Sequence, residues 1–364
     1  MPERARVERV EVDAYTVPTD FPEADGTIDW TSTTLVVATV HAGGRCGLGY
    51  TYSHKAAAVL IRDKLADVVV GVDPMDVPAA WQAMVDAVRN LGRPGEALMA
   101  IAAVDHALWD LKARLLDISL IDLWGRARDA IPVYGSGGFT SYPLERLRSQ
   151  LGGWVEQGIS RVKMKVGSDP DQDSGRVRAA REAVGADTVL MVDGNGAYRR
   201  KQALALAMRF AEENVSWFEE PVSSDDLEGL RLLRDRAPAG MAITAGEYGW
   251  DVWYFRRMLE AGAVDVLQVD TTRCGGFTGF MQASALCRAF GVPVSAHTAP
   301  TLHAHVCAAL NNVWHIEYFH DHARIEEMLF DGSLKPEQGE LRPDPSSPGL
   351  GLTLRRADAE KYHV

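Results

Sequence analysis

At 364 residues the chain is long enough for about two ordinary domains or one barrel with additions. Its hydrophobic content of 46% and charged content of 24% are those of a globular protein, and a net charge of −12 argues against nucleic acid, which needs a basic surface. No apolar run approaches the ~18 residues of a membrane span, and the charged opening Met1-Pro2-Glu3-Arg4-Ala5-Arg6 lacks a signal-peptide pattern.

Residues 5–17 and 33–40 alternate and are rich in valine and threonine, which predicts two antiparallel strands. Between them, residues 17–32 carry Pro18, Pro22, Gly26 and four acids, Asp20, Glu23, Asp25 and Asp29; a long irregular loop serving as a lid is expected. Helical spacing follows over 55–70, 76–91 and 95–116, the last with Ile101, Val104, Ala107, Leu108, Leu111 and Leu115 on one face. Residues 1–128 therefore read as an α+β domain. From 129 to 328 the pattern becomes strand, turn, helix, repeated. Strands are expected near 131–135, 161–166, 188–193, 215–220, 241–246, 264–270, 292–297 and 313–317, with amphipathic helices in the seven gaps. That is an α/β chain, and the count suits a β/α barrel better than an open doubly wound sheet. The Pro/Gly-rich tail 329–364 is expected to return to the N-terminal domain. Cys46, Cys274, Cys287 and Cys307 show neither paired metal spacing nor a disulfide framework, as reduced thiols in a cytoplasmic protein would.

Chemistry-bearing residues close these strands in turn: Lys163 and Lys165, Asp193, Glu219, Glu247, Asp270, His297 and Glu317. From Lys165 onward the intervals are 28, 26, 28, 23, 27 and 20 residues, close to one strand-plus-helix unit. In a barrel such strand ends share one rim. One acid at a strand end is commonly a solvated or capping group. Three on neighbouring strands, Asp193, Glu219 and Glu247, with no Cys or His among them, favour a hard cation, Mg²⁺ or Mn²⁺. Glu219 and Glu220 point to opposite sides of their strand, and the pattern does not choose between them. Lys163 and Lys165 point the same way, and two ammonium groups facing one cavity are expected to depress each other's pKa toward that of a useful base. Asp270 on the adjacent strand can orient His297 as a dyad. Glu317, if protonated, could donate a hydrogen bond to a developing oxyanion. His303 and His305 diverge on a helix and are not expected to be ligands. Gly275-Gly276-Phe277-Thr278-Gly279 lacks a phosphate-binding fingerprint and reads as a tight turn. Gly135-Ser136-Gly137-Gly138 reads as a turn permitting close substrate approach.

These residues resemble the enolase superfamily, and within it the mandelate racemase subgroup. The resemblance rests on Lys163-Met164-Lys165, Val192-Asp193-Gly194-Asn195, Trp217-Phe218-Glu219-Glu220-Pro221, Ala245-Gly246-Glu247, the Asp270 and His297 pair, and the helix Ala103-Val104-Asp105-His106-Ala107-Leu108-Trp109-Asp110. It implies a (β/α)₇β barrel under an α+β capping domain formed by both chain ends, and it makes Glu219 rather than Glu220 the metal ligand. It further implies Mg²⁺-assisted removal of the proton next to a substrate carboxylate. Lys165 and His297 would stand on opposite faces of that carbon, with Lys163 neutralising charge; enolase-type sites are a known case of a Lys or His base with Mg²⁺. Members are commonly homo-oligomers.

Two outcomes are open after proton removal. Loss of the neighbouring hydroxyl gives a 2-keto-3-deoxy acid, and reprotonation by His297 gives racemisation or epimerisation. The lid acids, with Phe21, Asp25, Trp30, Tyr50, Tyr52, Tyr142 and Asn195 as candidate substrate contacts, favour a hydroxyl-rich acid and hence an acid-sugar dehydratase, with a monoacid ahead of a diacid. A binding protein without turnover is the alternative class. A cycloisomerase of the same superfamily is also possible, but that branch resembles a lysine on the sixth strand rather than Asp270 with His297.

Overall fold

The computed structural model describes residues 5–364. Three antiparallel strands open the fold, β1 (Val7–Ala24), β2 (Asp29–Ala42) and β3 (Arg45–Tyr52), in spatial order β1-β2-β3. β3 was not expected, because Gly47 and Gly49 weaken its strand pattern. The structure supplies the reason for them. A Cβ on Gly49 would lie 2.2 Å from the carbonyl oxygen of Ala103, and one on Gly47 2.1 Å from that of Ala107. The helix Glu96–Leu116 thus rests backbone-on-backbone against β3. Gly49→Ala is therefore expected to destabilise the protein by at least ~1–3 kcal/mol, the usual range for overpacking. The effect should appear as a lower urea midpoint at unchanged slope.

Residues 17–32, expected as an irregular loop, are instead the distal part of the β1–β2 hairpin. Pro18 pairs with Ser32, Glu23 with Trp30 and Ala24 with Asp29, with a register break between Pro18 and Glu23. The two prolines misled the reading because β1 is an edge strand, where a missing N–H is tolerated. Asp25 fixes the tip by accepting from the N–H groups of Thr27 (2.6 Å) and Ile28 (2.8 Å). The tip lies on the barrel: Thr140 donates through N to the Ala24 carbonyl (2.8 Å) and through Oγ1 to that of Asp25 (2.7 Å).

Eight parallel strands form the barrel: β4 (Ile131–Gly137), β5 (Arg161–Lys165), β6 (Val189–Asp193), β7 (Val215–Glu219), β8 (Ala242–Ala245), β9 (Val266–Val269), β10 (Val294–Ala296) and β11 (Val313–Phe319). Pairing of Ile316 with Val133 and Glu317 with Tyr134 closes β11 onto β4. Their hydrophobic residues are nearly all buried, as parallel strands covered by helices require. Short helices Leu120–Trp124 and His320–Leu329 were not expected. Gly135 to Gly137 is not a turn but the end of β4. A Cβ on Gly135 would meet the Trp154 ring at 2.4 Å, so this glycine seats a helix rather than a substrate. In the tail, Glu340–Leu341 pairs antiparallel with β4, Leu350 N donates to Asp110 Oδ1 (2.6 Å), and Val364 N donates to the Ala14 carbonyl (3.1 Å). Among the described residues, no helix is long and apolar enough to cross a membrane.

The barrel floor is closed by Tyr134, Met191, Trp217 and Val266, with His315 against the Tyr134 ring at 4.8 Å. Burial, and then the charges of Arg161 and Lys163, push the His315 imidazole down to about 3 from its usual 6.5. A depressed histidine binds its proton more readily when unfolded, so its stabilising share is complete above pH 6.5 and is lost as pH falls toward 3. Relative to His315→Phe, the parent is expected to lose about 1.4 kcal/mol per pH unit across that window. Urea unfolding of both proteins at pH 7 and pH 5 checks it.

Candidate active site

Strand register delivers the site. Lys165 is level with Asp193, Asp193 with Glu219, and Glu219 with Thr244 across β5 to β8. Lys163 and Lys165 share the inward face of β5, while Val162, Met164 and Val166 are fully buried on the other side. Lys163 Nζ donates to both oxygens of Glu219 (2.7 Å each) and lies 2.9 Å from Glu317 Oε1 and 3.7 Å from Asp193 Oδ2. Lys165 Nζ donates to Asp193 Oδ2 at 2.5 Å. Trp217 Nε1 (3.0 Å) and Gln268 Nε2 (2.8 Å) also donate to Glu219, two contacts that strand-end spacing did not reveal.

Across the cavity, His297 Nδ1 is 2.8 Å from Asp270 Oδ2, and the backbone N and Oγ1 of Thr272 each donate to Asp270 Oδ1 at 2.7 Å. The dyad geometry is therefore present. His297 Nε2 faces Glu247 Oε2 at 3.3 Å and Glu317 Oε2 at 3.7 Å. Arg273 lies behind, with Nη1 3.4 Å from Glu247 Oε1 and Nε 3.6 Å from Asp270 Oδ2. The Asp270-Thr271-Thr272-Arg273 run could have signalled it, as a cation one turn beyond a strand-end acid.

Two electrostatic expectations change. The repulsion between the lysines does not decide their state. Burial alone would lower Lys163, but Glu219 and Glu317 override it and hold the ammonium well above its usual range. Burial and the repulsion from Lys163 would lower Lys165, but Asp193, Glu247 and Glu219 together outweigh them and hold it above its usual range. Glu317 is not a protonated donor. Burial would raise it, yet Lys163 and His297 hold it well below the ordinary carboxylate range, and it accepts from Thr298 N at 3.2 Å. Against burial, the charges of His297 and Arg273 bring Glu247 to about 2, and a hydrogen bond from His297 keeps Asp270 low.

Asp193, Glu219 and Glu247 each bring one carboxylate oxygen within 4.8 Å of the other two, all three buried. Glu220 is outside this group. It takes a left-handed φ of +36° directly after β7, and burial, with Glu247 and Asp193 beside it, pushes its carboxyl well up. The donors Asp193, Glu219 and Glu247 are all carboxylate oxygens, and such a set fits one hard dication.

The site opens into a cavity of about 460 Å³ between barrel and hairpin. Of the predicted substrate contacts, Asp25, Trp30, Tyr52 and Asn195 line it; Phe21, Tyr50 and Tyr142 do not. Tyr50 is fully buried, donating to Glu326 Oε1 (2.7 Å) and stacked on Phe330, so it ties the cap to the last barrel helix. Phe21 and Tyr142 pack edge to face beside the hairpin, with Arg146 over both rings. Ser32, Thr33, Thr34, Ser53, Thr272 and Thr298 also line the cavity and were not anticipated. His303 serves structure, as expected, accepting from Thr271 N at 2.9 Å.

Comparison with known proteins agrees with this architecture. Residues 10–125 match the mandelate racemase/muconate lactonizing enzyme N-terminal domain, and residues 146–359 the enolase C-terminal domain-like family. L-talarate/galactarate dehydratase of Salmonella typhimurium is 30% identical over 361 residues, 96% of this chain and 89% of that protein. The 3,6-anhydro-alpha-L-galactonate cycloisomerase of Streptomyces coelicolor is 32% identical over 96% of this chain and 97% of its own length. Among solved structures, a mandelate racemase/muconate lactonizing enzyme-like protein from Rubrobacter xylanophilus superposes with a TM-score of 0.97 at 58% identity, covering 99% of this chain and 100% of that one. A racemase from Streptomyces coelicolor A3(2), solved with bound magnesium, gives 0.92 at 29% identity over 98% and 100%. The curated relatives named here are dehydratases and cycloisomerases, so this chain too is an enzyme. With its barrel, its cap and its ring of strand-end carboxylates, the chain belongs to the mandelate racemase/muconate lactonizing enzyme family of the enolase superfamily.

Proposed function

We propose that the protein removes the α-proton of a monocarboxylic acid sugar and expels the adjacent hydroxyl, giving a 2-keto-3-deoxy acid. The cavity wall carries the reading. Ser32, Thr33, Thr34, Ser53, Thr272 and Thr298, with Asp25 and Asn195, make that wall polar, as a hydroxyl-rich substrate would require, and Trp30 and Phe319 offer apolar faces for its C–H edges. Both lining cations, Lys165 and Arg273, are already engaged with the carboxylate cluster, and burial keeps His322 neutral by pushing it down to about 3. A second substrate carboxylate would therefore meet no free cation at the hairpin end. This favours aldonates over aldarates.

Lys163 remains cationic between Glu219 and Glu317, a fixed positive charge for the substrate carboxylate. Lys165 Nζ shares its proton with Asp193 and must release it before accepting one from the α-carbon. His297, oriented through Nδ1 by Asp270, presents Nε2 as the donor to the leaving hydroxyl. Asp193, Glu219 and Glu247 would hold Mg²⁺, which when bound supplies Lewis-acid charge at that carboxylate.

Cycloisomerisation is the second reading, because relatives of that class match 81–96% of this chain. Both reactions begin with the same proton removal and differ in which oxygen leaves. The test is a panel of aldonates, aldarates and their lactones and anhydro forms with Mg²⁺, read for 2-keto acid and for solvent deuterium at the α-carbon. Keto acid from aldonates is expected. Turnover of lactones or anhydro acids alone would replace dehydration with ring opening, and no deuterium incorporation anywhere would remove proton abstraction itself.

A further inference from the structure

A second cluster of ligating side chains stands apart from the carboxylate ring. Asp20, Glu23 and His320 each place one ligating atom within 4.8 Å of the other two. Asp20 and Glu23 lie in the stretch of β1 where the hairpin register breaks, and His320 is the first residue after β11. His320 Nε2 is 3.1 Å from Asp20 Oδ1, and Arg146 holds the other Asp20 oxygen at 3.1 Å.

Proximity alone would say little. The independent observation is Glu23, which is only 1% exposed. Its Oε2 accepts from Trp30 Nε1 at 2.8 Å, and its Oε1 has no hydrogen-bond partner. A buried carboxylate oxygen without a donor is costly unless a cation answers it. Asp20 is exposed and His320 half-buried, which leaves the cluster open to solvent on one side.

We propose that Asp20, Glu23 and His320 form a second divalent-metal site that pins the hairpin tip to the end of β11. One imidazole nitrogen with two carboxylate oxygens suits a borderline ion such as Zn²⁺ or Co²⁺, unlike the all-oxygen ring, which suits Mg²⁺. Trp30 hangs from Glu23 and lines the cavity, so an ion here would also hold the cavity wall.

The test is equilibrium dialysis of the folded protein against Co²⁺ in excess Mg²⁺, which keeps the oxygen-only ring saturated. One equivalent of Co²⁺ is expected to be retained by the parent and by Asp193→Asn, with a raised thermal midpoint. Binding should weaken more than ~10-fold in Glu23→Gln and in His320→Gln, since losing a ligand costs at least as much as losing its supporting partner. His320→Gln changes a partly exposed residue and decides the matter if Glu23→Gln fails to fold. No Co²⁺ uptake beyond what Mg²⁺ displaces, or equal uptake by parent and His320→Gln, overturns the proposal.

Discussion

Lys165→Ala is expected to lower kcat by ~10²–10⁴-fold, the range for a positioned acid or base, while the barrel remains folded. Nζ of Lys165 lines the cavity, level with Asp193 and opposite His297, and among the described residues Lys163, the only other lysine at this rim, is committed to Glu219 and Glu317. The variant should also lose deuterium incorporation at whichever α-configuration presents its proton to the β5 side. Its stability should depend on metal. In the variant without metal, Asp193 would keep Lys163 at 3.7 Å as its cation, beside the hydrogen bond from Asn195 N at 2.9 Å, and breaking a buried pair typically costs ~3–5 kcal/mol. Added Mg²⁺ should recover part of that loss, because a dication supplies the charge the lysine took away. Thermal melts with and without Mg²⁺ measure this, and stopped assays of keto acid measure the rate. Turnover within tenfold of the parent would remove Lys165 from the chemistry.

The barrel and its rim were legible because both depend on short-range periodicity. Each strand is a β-branched run closed by a charged residue, and parallel register then levels Lys165, Asp193 and Glu219 without further information. What the sequence concealed depends on partners distant along the chain. Gly47 and Gly49 weaken a strand pattern, and only the helix lying on them explains why the strand needs them. Pro18 and Pro22 suggest a loop until β1 is known to be an edge. Tyr50 was expected as a substrate contact, yet Glu326, 276 residues later, takes its hydroxyl. The lysine pair misled for the same reason. Repulsion between neighbours on one strand is visible in sequence, whereas the carboxylates that outweigh it come from four other strands.

Removing divalent metal is expected to abolish turnover and lower the thermal midpoint, with Mg²⁺ or Mn²⁺ restoring both. Asp193, Glu219 and Glu247 form an all-oxygen donor set nearly inaccessible to water, with Asp193 and Glu219 at 0% and Glu247 at 3% exposure. Lys165 pairs with Asp193 and Lys163 with Glu219. An ion at one hundred times its dissociation constant adds about 2.7 kcal/mol of stability, a shift of a few degrees in a chain of this size. Asp193→Asn removes one ligand and the partner of Lys165 together. It should therefore show neither the Mg²⁺-dependent midpoint shift nor turnover, while its circular dichroism matches the parent. Calorimetric scans against Mg²⁺ concentration separate the outcomes. A parent whose midpoint and keto-acid production ignore both chelator and Mg²⁺ would mean that the lysine pairs are the final state of this ring rather than placeholders for a cation.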